Sequence, residues 1–406
     1  MSNQKVNILH MGLGAFHRAH QAVYVQRAIN AGQPLAIAAV SQRDPTVSEE
    51  LAQMGFKYVV RESDASASKD EEITSIVATY FYPKDYEKLA QIVADEDFLA
   101  ITITATEKAY LYSDDLQATL PGRIAYLLHQ RYLKTKTGIA VISCDNLSGN
   151  GEITKGLALK SALLLNDGGF VEWIKNQVRF PNSMVDRIVP APKDAGLLIT
   201  EPFMQWVIAD DPIKKYLGGV GVQFVSDVAG YELMKLRLFN AVHSALAYIG
   251  ELQGIEFVAQ VIDDPKYLQF ISDIQMQAAA SFTVPAGESA SDYSAAIRKR
   301  IANPTLGHRS RQIAMDGSQK LPHRVFKTIN ELIEKDLPFN FLAQLLAIWV
   351  DYLAKSDRVN DPLAEKLIPF AKAKNVAGLF SLPDFAVKLN PAAFKSISDC
   401  LTKLPI

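Results

Sequence analysis

The chain opens on a short apolar run, Val6–Met11, that breaks at Gly12-Leu13-Gly14. Phe16, Ala19, Val23, Tyr24, Ala28 and Ile29 then recur at helical spacing, and Gly32 and Pro34 end that pattern ahead of a second apolar run, Leu35–Val40. This order predicts a strand, a turn, one helix and a parallel strand, joined as a βαβ unit. Phe98–Thr104 and Gly138–Cys144 are further apolar runs, continuous and rich in β-branched residues. Strands buried on both faces of a parallel sheet read this way. Helical patterns accompany them at Tyr86–Ala94 and Ile124–Leu133, so the first half is predicted to be a doubly wound α/β domain. From about Asp227 the β-branched runs thin out. Helix-period segments take over at Glu232–Ile249, Phe341–Ala354 and Pro362–Ala373, with Pro338 and Pro362 near helix starts. The expected organisation is two domains, residues 1–225 and a mainly α-helical 226–406.

Composition narrows the class. The 406 residues carry 42 Lys+Arg against 44 Asp+Glu, a net charge of −2. Nucleic-acid and anionic-membrane binders need a basic excess, so neither partner is expected. Two cysteines, Cys144 and Cys400, make neither a disulfide framework nor a CxxC metal site, which fits a reducing, cytoplasmic setting. The start has no signal-peptide layout. The longest apolar stretch, Phe341–Val350, is about half of a bilayer span and ends at Asp351. No repeat or low-complexity linker interrupts the chain, so a packed junction is expected, with a ligand cleft between the domains.

Gly12-Leu13-Gly14, placed between a strand and a helix, is the layout of a dinucleotide-binding turn, which makes the first domain Rossmann-like. The first glycine permits the tight turn and the second lets backbone approach a pyrophosphate. The third glycine of the strict GxGxxG pattern is replaced by His17. After the second strand come Ser41-Gln42-Arg43-Asp44. Asp44 is suited to the ribose 2′-hydroxyl of NAD and Arg43 to the 2′-phosphate of NADP, so NAD is expected and NADP is not excluded.

Glu232, Lys235, Asn240 and His243 fall in one predicted helix. With Lys235 at zero and about 100° per residue, they lie at about 60°, 0°, 140° and 80°. Leu236 and Phe239 share that arc, so the face is partly buried. A lysine there is a candidate general base, and an asparagine amide beside it could stabilise an alkoxide. An ordinary amphipathic helix with a buried hydrogen-bond network reads the same way. Asp145 and Asn146 follow the Gly138–Cys144 strand, where open α/β sheets bind ligands, although Asn-Leu-Ser-Gly-Asn-Gly is also good turn chemistry. Three patterns are set aside. His17 and His20 have a metal-pair spacing without an evident third ligand, so no metal is expected. Tyr80 and Lys84 have a YxxxK spacing that Pro83 interrupts. Cys144 reads as a buried strand-end residue rather than a nucleophile.

These residues resemble the polyol-specific long-chain dehydrogenases, the family of mannitol 2-dehydrogenase and fructuronate (mannonate) reductase. Seven blocks carry the resemblance in order: Gly12–Gln21, Thr106–Tyr110, Ser143–Leu147 with Asn150-Gly151, Met184–Ile188, Glu201-Pro202-Phe203 with Gln205-Trp206, the Lys235/Asn240/His243 helix, and Asp316–Pro322. The resemblance implies zinc-independent, NAD(P)-dependent oxidation of a secondary alcohol. It implies Lys235 as general base, Asn146 and Asn240 as the oxyanion site, and His243 and Asp186 on substrate hydroxyls. It places Lys320 at the substrate mouth and makes Glu232 a gate for proton exit. Gly12, Gly14, Ala15, Phe16, Arg43, Asp44, Thr106 and Glu107 are the expected cofactor contacts.

The chain looks shorter than typical members, mostly between Tyr110 and Gly138, before Glu201 and around Ala209. Glu107-Lys108 and the Gln312-to-Arg324 stretch look closer to the fructuronate-reductase branch. The leading expectation is a polyol/ketose oxidoreductase of the mannitol/fructose type, a monomer or small homo-oligomer. Its nearest rival is a fructuronate or tagaturonate reductase, which needs a cation for the sugar-acid carboxylate, with Lys108, Lys320 and Arg324 as candidates. A rival of another class is a catalytically silent NAD(P)-binding sensor, against which stands the Lys235/Asn146/Asn240 set.

Overall fold

The apolar runs become the centre of a parallel sheet. The computed structural model describes residues 5–106 and 109–403. By its internal contacts the chain divides into two units, Met1–Ala229 and Gly230–Ile406. The strands of the first unit are β1 (Ile8–Met11), β2 (Ile37–Ser41), β3 (Tyr58–Ser63), β4 (Ser68–Ile73), β5 (Ile76–Phe81), β6 (Ala100–Ile103), β7 (Ala140–Ser143), β8 (Ser183–Asp186), β9 (Leu197–Thr200), β10 (Gln205–Ala209) and β11 (Gln223–Val225). Five of them form a parallel sheet in the order β5-β2-β1-β6-β7.

Each strand of this sheet sends alternate side chains to opposite faces. Ile8, Ile37, Ala39 and Ile142 join one core with Val23, Tyr24 and Ala28 of a helix and Leu51 of another. Leu9, Met11, Val40 and Ile101 join a second core. The helices on the first face are α1 (Ala15–Ala19), α2 (Gln21–Asn30) and α3 (Thr46–Gln53). The second face is covered by α4 (Tyr82–Val93), α5 (Leu120–Lys134), α6 (Asn150–Ala162) and α7 (Gly168–Gln177). Double burial explains why the central strands read as unbroken apolar runs.

Three local departures from the sequence pattern have physical causes. The single helix expected across Phe16–Ile29 is broken at His20 into α1 and α2. The Arg18 carbonyl accepts the Tyr58 hydroxyl at 2.9 Å and the Ala19 carbonyl accepts Arg187 Nη1 at 2.6 Å, so neither is left to carry the helix forward. Pro83 does not break a helix; it stands in the first turn of α4, where a missing N–H costs nothing. Two three-stranded sheets, β4-β3-β9 and β11-β10-β8, were not signalled by the pattern. β4 is Ser-Lys-Asp-Glu-Glu-Ile, polar and mostly exposed, and it forms its strand only by pairing with β3.

The second unit is helical. Its longest helix, Asn340–Lys355, buries Leu342, Leu345, Leu346, Trp349 and Leu353, and so absorbs the apolar stretch at Phe341–Val350. Among the described residues no helix is long and apolar enough to cross a membrane. The helix expected across Glu232–Ile249 is α-helical at Ala229–Met234, π-helical at Lys235–Asn240 and α-helical again at Ala241–Gln253. A second π segment, Pro322–Phe326, lies against the first.

Candidate functional site

A cavity of about 930 Å³ opens at the carboxyl ends of β1, β2, β6 and β7, where an open α/β sheet binds ligands. That volume suits a whole organic cofactor. Gly12, Gly14, Ala15, Phe16, Arg43, Asp44 and Thr106 all line it, and so does Asn146. Glu107 and Lys108 lie outside the described residues.

The geometry demands glycine at the first turn position and leaves the second open. Gly12 has φ +121°, and a Cβ there would stand 1.8 Å from the Thr104 carbonyl oxygen. Gly14 is open: the nearest atom to a Cβ is the Gly12 carbonyl at 3.9 Å. The departure at His17 also has an explanation. A third glycine would let the helix approach the strand. Here the His17 ring stacks flat on His10 of β1, with centroids 3.3 Å apart. His10 is held in turn by the hydroxyls of Thr102 and Thr104, each at 2.8 Å.

One side of the cavity is braced by Asp145 together with Tyr110 and Asn150. Asp145 accepts the Ala105 amide and the Tyr110 hydroxyl, both at 2.6 Å, which ties the loop after β6 to the end of β7. Asn150, fully buried, donates to the Ser183 and Asp145 carbonyls and accepts the Ser183 amide. Asn146, exposed at the rim, therefore leaves a fixed turn. Only their place in the matching blocks pointed to Tyr110 and Asn150.

The second unit carries the other polar set. Lys235 and His243 are 9% and 7% exposed. The π turn changes their phase. A hydrogen bond from residue i+5 to residue i, such as Ala241 N–H to Leu236 O, widens the turn so that residues five apart come over one another. Lys235 and Asn240 are five apart. A regular α-helix would separate them by about 140°; the π turn brings them onto one face. Glu232 stands three residues before Lys235, in the preceding α-helical turn.

His243 stacks on Phe239 and meets His308 edge-on at 4.7 Å. His243 Nε2 and His308 Nδ1 are buried without a hydrogen-bond partner. Burial, then the neighbouring charges of His308, Arg324, Arg300 and Lys320, hold the His243 pKa far below the ordinary value. Nothing in the sequence pattern marked His308. Lys320 donates to the Met315 carbonyl at 2.6 Å. Arg324, from the second π segment, donates to the Asn240 carbonyl at 3.2 Å and the Ser244 hydroxyl at 2.9 Å.

Buried His10, His17 and His243, with the half-buried His308, set an acid limit. Burial lowers His10 to about 3 and His308 to about 4, and holds His17 and His243 well below the usual 6.5. Below pH 6.5 the unfolded chain therefore binds more protons than the folded one. Stability is expected to be full above pH 6.5 and to fall by up to about 1.4 kcal/mol per pH unit for each group until its folded pKa is reached. Thermal unfolding between pH 7.5 and 5 checks this; an unchanged Tm would contradict it.

Asp186 ends β8, opposite Gln205, at 1% exposure. Cys144 is buried at the end of β7, and burial pushes its thiol well above the ordinary range, which unfits it as a nucleophile. His17 and His20 do not pair: the first stacks on His10 and the second bonds the Gln205 carbonyl at 2.8 Å. Tyr80 lies on β5 and Lys84 on α4. Among the described residues no group of three or more His, Cys, Asp or Glu side chains converges on a metal position.

A glycine turn at the head of a parallel sheet, a cofactor-sized cavity beyond it and a helical unit with a buried lysine define a nucleotide-dependent oxidoreductase of the Rossmann class. Comparison with known proteins gives the family. The model described as "Mannitol dehydrogenase Rossmann domain" matches residues 6–217, and "Mannitol dehydrogenase C-terminal domain" matches residues 227–389. The chain belongs to the mannitol dehydrogenase family. A mannitol 2-dehydrogenase of Pyricularia oryzae is 33% identical over 91% of this chain and 84% of its own length. A D-mannonate oxidoreductase of Escherichia coli is 32% identical over 86% and 80%. The solved structure of Pseudomonas fluorescens mannitol 2-dehydrogenase with NAD and D-mannitol superposes with a TM-score of 0.85 at 27% identity, covering 99% of this chain and 92% of that one.

Proposed function

We propose that this chain is an NAD-dependent oxidoreductase that interconverts a polyol and a ketose at a secondary alcohol, of the mannitol/fructose type. The observation that carries the proposal is the π turn that brings buried Lys235 and half-buried Asn240 onto one face. Gly12, Gly14 and the cavity beyond them fit the dinucleotide: backbone is exposed where the pyrophosphate needs it, and Gln42 Nε2 and Thr119 Oγ1 are buried polar atoms with no protein partner. When bound, the nicotinamide supplies the hydride acceptor or donor. Lys235 takes the hydroxyl proton during oxidation and returns it during reduction. The Asn240 amide donates to the alkoxide oxygen, and Glu232, on the preceding turn, passes the proton outward. Asn146, at the rim of the cavity, is the second amide donor, and His243 and Asp186 are assigned to substrate hydroxyls. The two unbridged cysteines fit a cytoplasmic protein, which we place as a monomer or small homo-oligomer.

The sugar-acid reading keeps one observation of its own. Arg324, Arg300 and Lys320 surround His243 with positive charge, which would favour a carboxylate. NADH oxidation measured with fructose and with fructuronate separates the two. Faster turnover on fructose is expected, the reverse moves the assignment to sugar acids, and failure on both removes both.

Arg324 gives a finer prediction. Because it donates to the Asn240 carbonyl, we assign it to positioning that residue rather than to binding a carboxylate. Arg324→Ala is then expected to lower kcat about tenfold on every substrate, the loss of roughly one hydrogen bond to a charged group, with KM little changed. A raised KM confined to sugar acids would show instead that its charge pairs with substrate.

A further inference from the structure

Two guanidinium groups stand at the end of the cavity beyond β2. Arg43 and Arg123 both line it, the first from the loop after β2 and the second from the first turn of α5. Arg123 is firmly set: Nη1 donates to Gln42 Oε1 at 2.6 Å, Nε donates to the Gln117 carbonyl at 2.9 Å, and the guanidinium lies 4.5 Å from the centre of the Tyr82 ring. Burial first, with Arg43 as the neighbouring like charge, lowers the Arg123 pKa. An anion between the two guanidinium groups would relieve that repulsion.

Asp44 is the residue expected to read a ribose hydroxyl. Its Oδ1 instead accepts the Thr46 amide at 2.9 Å and the Thr46 hydroxyl at 2.6 Å, inside its own loop. Gln42 Nε2 and Thr119 Oγ1 stand in the same lining, buried and without a protein partner. The site thus offers two planar cations and two unmet polar atoms, while one oxygen of its acidic residue is already engaged in its own loop.

We propose that this chain binds NADP(H) as well as NAD(H), with the ribose 2′-phosphate held between Arg43 and Arg123. The proposal rests on the dinucleotide reading of the cavity. Guanidinium groups suit it because their fork matches phosphate oxygens, and a phosphate monoester carries nearly two negative charges at neutral pH. Arg123 reaches the site from a helix far along the chain, which is why the residues after β2 could not settle the choice by themselves.

The test is direct binding to the whole protein, by calorimetry or nucleotide fluorescence, with NAD+, NADP+, 5′-AMP and 2′,5′-ADP as probes. NADP+ is expected to bind within tenfold of NAD+ or more tightly, and its affinity to fall more steeply with added salt. Arg43→Ala and Arg123→Ala should each weaken NADP+ and 2′,5′-ADP tenfold or more while changing NAD+ less than threefold. Arg43 is exposed, so its variant keeps the proposal testable even where loss of Arg123 disturbs α5. NADP+ binding more than tenfold weaker than NAD+, or equal losses for both nucleotides in the variants, would overturn the 2′-phosphate site. An unaltered protein that bound neither nucleotide would overturn the dinucleotide reading itself.

Discussion

Lys235→Ala is expected to lower turnover by about a hundred- to ten-thousand-fold, the range of a lost general acid–base group, and to leave nucleotide affinity unchanged. In barrier terms that is about 3–5 kcal/mol. Lys235 belongs to the second unit, whereas the nucleotide cavity is built by the first, so the two properties should separate cleanly. The π turn makes the prediction sharper. Because it brings Asn240 onto the Lys235 face, Asn240→Ala should cost about a hundred- to a thousand-fold, as the loss of an oxyanion donor does. The double variant should cost far less than the product of the two, since residues that act as a unit are not additive. Steady-state kinetics with NAD+ and mannitol, together with equilibrium NAD+ binding, check all three. Unchanged turnover in Lys235→Ala would remove the base assignment.

What the sequence could show depended on whether local pattern and tertiary contact pointed the same way. β1, β2, β6 and β7 are apolar on both faces, so their strands were legible from single runs. β4 takes its structure from β3, and no window of its own residues could reveal that. The break at His20 is likewise imposed from a distance, by Tyr58 and Arg187 drawing off the carbonyls of Arg18 and Ala19.

The candidate site divides in the same way. Gly12 and Gly14 announce themselves because backbone conformation and close approach are local demands. A 100° step already set Lys235 and Asn240 on one broad arc, about 140° apart; the π turn that tightens it could not be read, because it leaves no periodic signature in so short a stretch. Some residues of the matching blocks serve the fold itself. Arg187 bonds Glu62 and the Glu201 carbonyl, and Glu201 accepts the Ile188 amide. Gly151 is needed because a Cβ there would stand 2.3 Å from the Phe180 carbonyl oxygen. Matching residues therefore identified the family more securely than they identified which members touch a ligand.

Gly12→Ala is expected to abolish nucleotide binding and to destabilise the first unit by about 2–6 kcal/mol, from backbone strain and overpacking together. Two costs fall on one atom. At φ +121° an L side chain is strained wherever it points, and this Cβ would press on a backbone carbonyl that cannot turn aside. The Thr104 carbonyl follows directly on β6, and the Thr104 hydroxyl itself donates to the Gly12 carbonyl at 2.8 Å, so moving either side breaks the other. Gly14→Ala is the matched control. Its Cβ meets only the Gly12 carbonyl at 3.9 Å and its backbone is extended, so the fold should stay within about 1 kcal/mol of the parent. Any loss in that variant should fall on the nucleotide, through the methyl group's intrusion where backbone must approach the pyrophosphate. Thermal unfolding with and without NAD+ distinguishes the two: a lowered Tm with no NAD+ response for Gly12→Ala, and a near-parent Tm with a weakened NAD+ response for Gly14→Ala. A Gly12→Ala protein that melted and bound NAD+ like the parent would show that the turn is not built as described.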